Sequence, residues 1–222
     1  MTYKVFFRKI SHRLGFGMSA DKQPVLAKPA AWAFLRSAPS GIPLSHRGPS
    51  VCLEIAAEAL EAQRIPFLVI GGALLGGFRA HNIAGRPSDV DLVVRQTDYL
   101  SAIGAIVGGK VRHSLVVRAR FTSRAPNSAC SIKFFARAVT VGYIDLHSAR
   151  PVGNHDSPHS WVIPGPEKSK PVPMSLQVPI SGSSFRVPAS VTIYNRTYPA
   201  PQETAEFLRR CYGDDFMIPT GR

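Results

Sequence analysis

The stretch FLVIGGALLGGFRAHNIAGRPSDVDLVV, Phe67 to Val94, constrains the fold more than any other part of the chain. An apolar run ends in Gly71-Gly72, and about one helix-length later Asp89-Val90-Asp91 opens a second apolar run. Strand side chains alternate, so Asp89 and Asp91 share one face while Val90 and Leu92 take the other. Two like charges that close repel strongly where water is scarce. Compensation comes from a bound cation, a cluster of Arg or Lys, or protonation. Divalent metal is the common solution, because Mg²⁺ prefers oxygen ligands and shares them with substrate phosphates. An isolated D-x-D is more often a merely exposed strand end. Here a strand ending in Gly-Gly stands just ahead of it, and a third acid, Asp145, sits between Ile144 and Leu146 in the β-rich run VGYIDLHS. Such a half-buried acid needs a physical reason.

Around this stretch the elements alternate in type. PSVCLEIAAEALEAQR opens on Pro49-Ser50, an N-cap signal, and carries Leu53, Ile55, Ala56, Ala59 and Leu60 at roughly helical spacing, predicting a helix up to Gln63. IPFLVI is a short apolar strand. ALLGGFRAH reads as a short helix whose glycines allow close backbone approach. Pro87 holds Arg86 extended, SDVDLVV is the second strand, and TDYLSAIGAIVG is a helix capped by Thr97. HSLVVRARF, CSIKFFA and VTVGYIDLHSA are strand-like in their β-branched and aromatic content. Residues 150–173 are rich in Pro, Gly, Ser and His and predict a long loop or lid. MSLQVPI, SSFRVPA and VTIYNRTY read as short strands or β-turn segments. APQETAEFLRRCYG is a closing helix with Gln202 and Glu203 in its first turn and Gly213 at its end. The pattern predicts an α+β domain over residues 50–222. It is preceded by a basic, Pro/Gly/Ser-rich, partly disordered arm over residues 1–49.

With 222 residues, 45% of them hydrophobic and 18% charged, the chain can bury a real core and is not disordered throughout. Its charge is less ordinary. Lys+Arg 27 against Asp+Glu 14 gives +13, an excess that favours nucleic acid, an anionic membrane face or phosphorylated substrates without choosing among them. No run approaches the ~18 apolar residues of a membrane span. The N-terminus is basic, with no acid before Asp21, and lacks the apolar core of a secretory signal. Cys52, Cys130 and Cys211 are too scattered for a disulfide framework or a C-x-x-C metal site, and a reducing, cytoplasmic setting fits them best. GGALLGG meets neither the dinucleotide fingerprint nor the P-loop, and the kinase signatures are absent.

The segment IGGALLGGFRAHNIAGRPSDVDLVV resembles the nucleotidyltransferase-superfamily pattern of a strand, a Gly-Gly or Gly-Ser turn and then D-x-D. More closely it is similar to the LicD/fukutin-type phosphotransferases, through Gly72-Ala73-Leu74-Leu75-Gly76 with Arg79 and then Asp89-Val90-Asp91. The C-terminal YPAPQETAEFLRRCYGDDFMIP resembles that family's closing segment, the match carried by Tyr198, Pro199, Pro201, Leu208, Tyr212, Gly213, Asp214 and Pro219. YIDLHS takes the place of the third-acid strand. The resemblance runs from Leu53 to Pro219 in three ordered blocks. It departs where Arg86, Pro87 and Ser88 replace the family's Trp-Asp-Asp, and where Ala73 replaces a Thr or Ser.

The resemblance implies a nucleotidyltransferase-like mixed β-sheet flanked by helices. It implies transfer of a nucleotidyl or substituted phosphate group from a nucleotide or CDP-alcohol donor to a hydroxyl acceptor such as a glycan. Asp89 and Asp91 would bind Mg²⁺ or Mn²⁺, and Asp145 would be the third ligand or the base. Gly71 and Gly72 would approach the donor phosphate, and Arg79 would offset its charge. The basic surface suits an anionic donor, or peripheral contact with an anionic membrane or other polyanion.

Other features weigh less. His147, His155 and His159 read first as surface histidines, although His147 lies two residues beyond Asp145 on the same strand face. Arg118, Arg120 and Arg124 interleave with Val117 and Phe121, which is more often a solvated strand face than a nucleic-acid stripe. Asn195-Arg196-Thr197 matches a glycosylation sequon by chance, and Tyr212-Gly213 reads first as a helix end. Two readings from other classes stand beside the enzyme: a basic nucleic-acid-binding module with structural carboxylates, and a catalytically degenerate nucleotidyltransferase-fold binding protein.

Overall fold

The computed structural model describes residues 41–85, 87, 89–108, 115–121, 129–136, 139–152, 160–162 and 179–219. The N-terminal arm up to residue 40, Arg86, Ser88, His155, His159, Arg124 and most of the expected 150–173 loop lie outside them. As expected, the fold is α+β with a mixed sheet. In chain order its elements are α1 (Leu44–Ala62), β1 (Phe67–Ile70), α2 (Gly71–Ala80), β2 (Asp89–Arg95), a 3-10 turn (Gln96–Asp98) and α3 (Tyr99–Gly108). Then follow β3 (Leu115–Phe121), β4 (Ala129–Ala136), β5 (Val139–Val152), β6 (Ser160–Val162), β7 (Ile180–Ser181), β8 (Ala189–Ile193), β9 (Arg196–Ala200) and α4 (Thr204–Tyr212).

The main sheet runs β1-β2-β5-β4-β3, with β6 and β7 continuing from the far part of β5. β1 lies antiparallel to β2, β2 parallel to β5, and β5 antiparallel to β4, so the sheet is mixed. One face is apolar except for the buried Ser148. Val90, Leu92, Ile132, Phe134, Ile144 and Leu146 are all buried on it. α1 lies on this face: a Cβ at Gly142 would come within 2.9 Å of Cys52 Sγ and 3.2 Å of the Gly48 carbonyl carbon. The helix meets the sheet with Leu53, Ala56, Ala57 and Leu60, the i, i+3, i+4, i+7 stripe of an amphipathic helix. α3 repeats that spacing with Tyr99, Ala102, Ile103 and Ile106, all buried. No helix among the described residues is long and apolar enough to cross a membrane.

The local boundaries differ from the sequence reading in four places. Within the expected 150–173 loop, the described residues are strand: β5 runs on to Val152 and Ser160–Val162 is β6. α1 starts at Leu44 and not at Ser50, and Pro49 lies inside it in the second turn, where it leaves the Ser45 carbonyl without its i→i+4 partner. Thr97 lies in the 3-10 turn that leads into α3 and does not cap it directly. VTIYNRTY is a hairpin, β8 and β9 meeting at a Tyr194-Asn195 turn in which Tyr194 takes the left-handed conformation with φ 53°.

The glycines of α2 set how closely it packs. A Cβ on Gly76 would meet the Ala84 backbone nitrogen at 2.2 Å and the Asn82 carbonyl at 2.5 Å, and one on Gly77 would meet Val191 Cγ2 at 2.6 Å. At Gly72 nothing lies within 4 Å. Gly76→Ala is therefore expected to lower stability by about 1–3 kcal/mol through overpacking against backbone. Gly72→Ala leaves stability unchanged or raises it by up to ~1 kcal/mol through helix propensity. Urea unfolding of the two variants checks the contrast.

Candidate active site

The register of β2 on β5 assembles the acids. Asp91 stands opposite Asp145, and Asp89 opposite Tyr143, on adjacent parallel strands roughly 4.8 Å apart. Paired residues share a sheet face, so Asp89, Asp91, Tyr143, Asp145 and His147 all lie on the face opposite the apolar core. β4 extends the same rows with Ser131 opposite Asp145 and Lys133 opposite Tyr143. Three acids separated by up to 56 positions in the chain thus meet on one patch. None of the three is fully buried or fully exposed.

Each carboxylate has identifiable neighbours. His147 Nε2 lies 3.0 Å from Asp91 Oδ1, with only 7% of the histidine exposed. Asp91 Oδ2 faces Gly71, where a Cβ would sit 2.2 Å from it. Gly71 also has φ +64°, a conformation that costs other residues about 1–2 kcal/mol. The Gly-Gly turn therefore has a local cause: it starts α2 while leaving room for the Asp91 carboxylate. Burial pushes the Asp145 carboxyl above the usual range; the Ser131 hydroxyl, donating to it, pulls it down, Asp91 and Asp89 raise it further, and His147 lowers it. The acids are crowded and partly desolvated.

Gly71 and Gly72 form the first turn of α2, beside Asp91. Arg79, at the other end of α2, gives its terminal guanidinium nitrogen to two backbone carbonyls of the C-terminal segment, Phe216 and, at 3.2 Å, Ile218. Its Nε is buried without a hydrogen-bond partner among the described residues. This clamp fixes the segment after α4 against the far end of α2. The Tyr212 phenol is pushed up to about 12, chiefly by burial, then by the charges of Cys211 and Asp91, with Arg79 acting the other way. The end of α4 therefore lies within the field of the acids, while Tyr198 and Leu208 of the same closing segment are core residues. His46 donates from Nε2 to the Gly85 carbonyl at 2.9 Å and so accepts at Nδ1 from the Tyr194 hydroxyl at 2.6 Å, holding the loop that leads into Asp89.

Ser131, Lys133, Tyr143 and the full engagement of His147 were not foreseen as site features. Only the i, i+2 spacing of His147 from Asp145 signalled any of them. None of the three cysteines is in a disulfide; Cys52 and Cys130 are buried and Cys211 is half-buried.

Among the described residues no group of three or more His, Cys, Asp or Glu side chains converges tightly enough to hold a metal ion. The donor chemistry nevertheless fits a hard divalent cation. All three acids offer oxygen, Asp91 and Asp145 are direct neighbours, and their mutual repulsion is what such a cation relieves.

No protein-family model matches the chain, and no curated protein matches it. Its structure is similar to the lincosamide antibiotic adenylyltransferase LnuA bound to lincomycin, at TM-score 0.47 and 14% identity over 73% of this chain and 86% of that one. It is also similar to the antibiotic-resistance factor ANT(2'')-Ia, at TM-score 0.41 and 12% identity over 68% and 64%. A third is terminal uridylyl transferase 4 from Trypanosoma brucei with bound GTP, at TM-score 0.29 and 12% identity over 54% and 34%.

Two outcomes follow from the crowding. A carboxyl raised by folding binds its proton more tightly in the folded chain, so stability falls as pH rises through that raised value. Asp145→Asn is therefore expected to melt a few degrees higher than the wild type at pH 7 without divalent metal, roughly 2–4 °C on the scale of a chain this size. The gain shrinks as the pH falls below the ordinary carboxylate range, and differential scanning calorimetry across pH measures it. Gly71→Ala is expected to destabilise by about 2 kcal/mol, and by less in an Asp91→Ala background, because the clash at Oδ2 is then gone. A double-mutant cycle in urea reads the coupling.

Proposed function

We propose that the chain is a metal-dependent transferase of the LicD-like kind, moving a nucleotidyl or substituted phosphate group from a nucleotide or CDP-alcohol donor to a hydroxyl acceptor such as a glycan. The observation that carries this reading is the register pairing of Asp91 with Asp145, with Asp89 next on the same face and the first turn of α2 beside them.

On this reading Asp89 and Asp91 hold Mg²⁺ or Mn²⁺. The bound ion would neutralise charge on the phosphate being transferred. Gly71 and Gly72 present backbone N–H groups of a helix start, which suit a donor phosphate. Asp145 serves as third ligand or as the base, and its raised carboxyl favours taking the acceptor's proton. The acceptor oxygen forms the new bond to phosphorus as the bond to the leaving group breaks. The leaving group is CMP from a CDP-alcohol or pyrophosphate from a nucleoside triphosphate, and the hydroxyl proton goes to Asp145. Arg79 acts on the donor's charge from the far end of α2 while fixing the C-terminal segment.

A second reading has one observation in its favour: His147 already engages Asp91 Oδ1. A chain that kept the fold and lost the chemistry would bind a partner, and Asp89→Asn with Asp91→Asn would leave that binding intact.

The test is turnover of a panel of CDP-alcohols and nucleoside triphosphates with Mg²⁺ or Mn²⁺, wild type against Asp89→Ala and Asp91→Ala. Turnover is expected with at least one donor, abolished by EDTA and reduced about 10³-fold or more in each variant. Metal-independent turnover would sink the metal dependence, and none with any donor would sink the enzyme reading.

A further inference from the structure

The site face has two unlike flanks. On one side of the acids stand β1 and the start of α2, with Gly71 against Asp91. On the other the sheet continues through β5 into β4, where its residues stay partly exposed: Tyr143, Asp145, Ser131 and Lys133 are each only half-buried, while Ile132, Phe134, Ile144 and Leu146 behind them are sealed. Lys133 stands in the row Asp89–Tyr143–Lys133, two strand spacings from Asp89, roughly 10 Å backbone to backbone. Its side chain forms no ion pair among the described residues. A half-buried lysine on the face that carries the acids, with no ion-pair partner among the described residues, is suited to an anion that the chain itself does not supply.

We infer that Lys133 is a binding residue for the acceptor, and that the acceptor is an anionic hydroxyl compound, a phosphorylated or carboxylated sugar, whose anionic group lies over β4 while its hydroxyl reaches Asp145. The inference rests on the proposed transfer reaction, which assigns the donor phosphate to the α2 flank and so leaves the β5–β4 floor to the acceptor. Lys133 serves better than Arg79 here, because Arg79 is committed to the Phe216 and Ile218 carbonyls. The net charge of +13 favours the approach of such an acceptor without choosing its place.

The test uses the full chain, a donor from the panel above, and matched acceptors: glucose and glucose 6-phosphate. The phosphorylated sugar is expected to have the lower KM. Lys133→Ala raises that KM about ten-fold, the worth of one charge-assisted hydrogen bond, and leaves the KM for glucose and for the donor unchanged. Lys133→Arg retains the preference. A rise in donor KM, an equal effect on both sugars, or no preference for the phosphorylated one overturns the assignment. Calorimetric titration of glucose 6-phosphate into wild type and Lys133→Ala gives a readout that needs no turnover: binding lost in the variant supports the inference, and equal binding overturns it. Because Lys133→Ala leaves Asp89, Asp91 and Asp145 in place, failure here with intact metal-dependent turnover refutes the acceptor flank alone. Loss of the reaction reading shows instead as Asp89→Ala without effect.

Discussion

The parallel pairing of β2 with β5 is the constraint around which the rest of this structure is arranged. It sets Asp91 directly against Asp145, and the strand period then fixes everything else: Val90, Leu92, Ile144 and Leu146 fall on the opposite face and are buried under α1. A slip of β2 by one residue would turn Asp89 and Asp91 into that core and expose Val90 and Leu92, so the register is held by the whole apolar face. The electrostatic strain at the acids is the local cost of a pairing that the core enforces. Ser131 and His147 reduce that strain without removing it, which is why the Asp145 carboxyl stays raised.

The part of the site encoded within one short segment was legible in the sequence. Alternation in SDVDLVV put both aspartates on one face, and the paired glycines marked the end of β1; the reason for Gly71 became visible only as the space taken by Asp91 Oδ2. Asp145 was legible as an acid out of place in an apolar strand. Its position opposite Asp91 was not, because register between strands more than fifty residues apart depends on packing that no local pattern records. Ser131 and Lys133 were unreadable for the same reason. They belong to a strand that looks like ordinary half-buried sheet until its neighbour is known. The start of α1 was misplaced because Pro49-Ser50 imitates a helix beginning; the helix accommodates Pro49 near its N-terminal end.

Arg79 illustrates how a motif residue can carry a role other than the first one it suggests. Within the segment it reads as a cation following a glycine turn, positioned for phosphate. In the fold it binds carbonyls 137 and 139 residues further along, and Phe78 packs its ring near Phe216 at 6.0 Å. Those contacts hold the chain's end across α2 and keep the end of α4 near Asp91, so that Tyr212 feels the carboxylate's charge. The closing block that resembles the LicD family therefore divides by function: Tyr198 and Leu208 build core, while Tyr212 and the segment after it border the site.

On the proposed reading, Asp91 would set how the site meets a cation. One of its oxygens is bonded to a nearly buried histidine and the other lies against the first glycine of α2, so the carboxylate is held in one orientation before anything binds. A group fixed in advance loses little freedom on binding, and hydrogen-bonded support of this kind is what second-layer partners contribute at metal sites. On the proposed reading, Asp91 would keep an oxygen lone pair for an ion on either oxygen while His147 holds the carboxylate in place, and Asp89 and Asp145 would stand beside it as further oxygen donors.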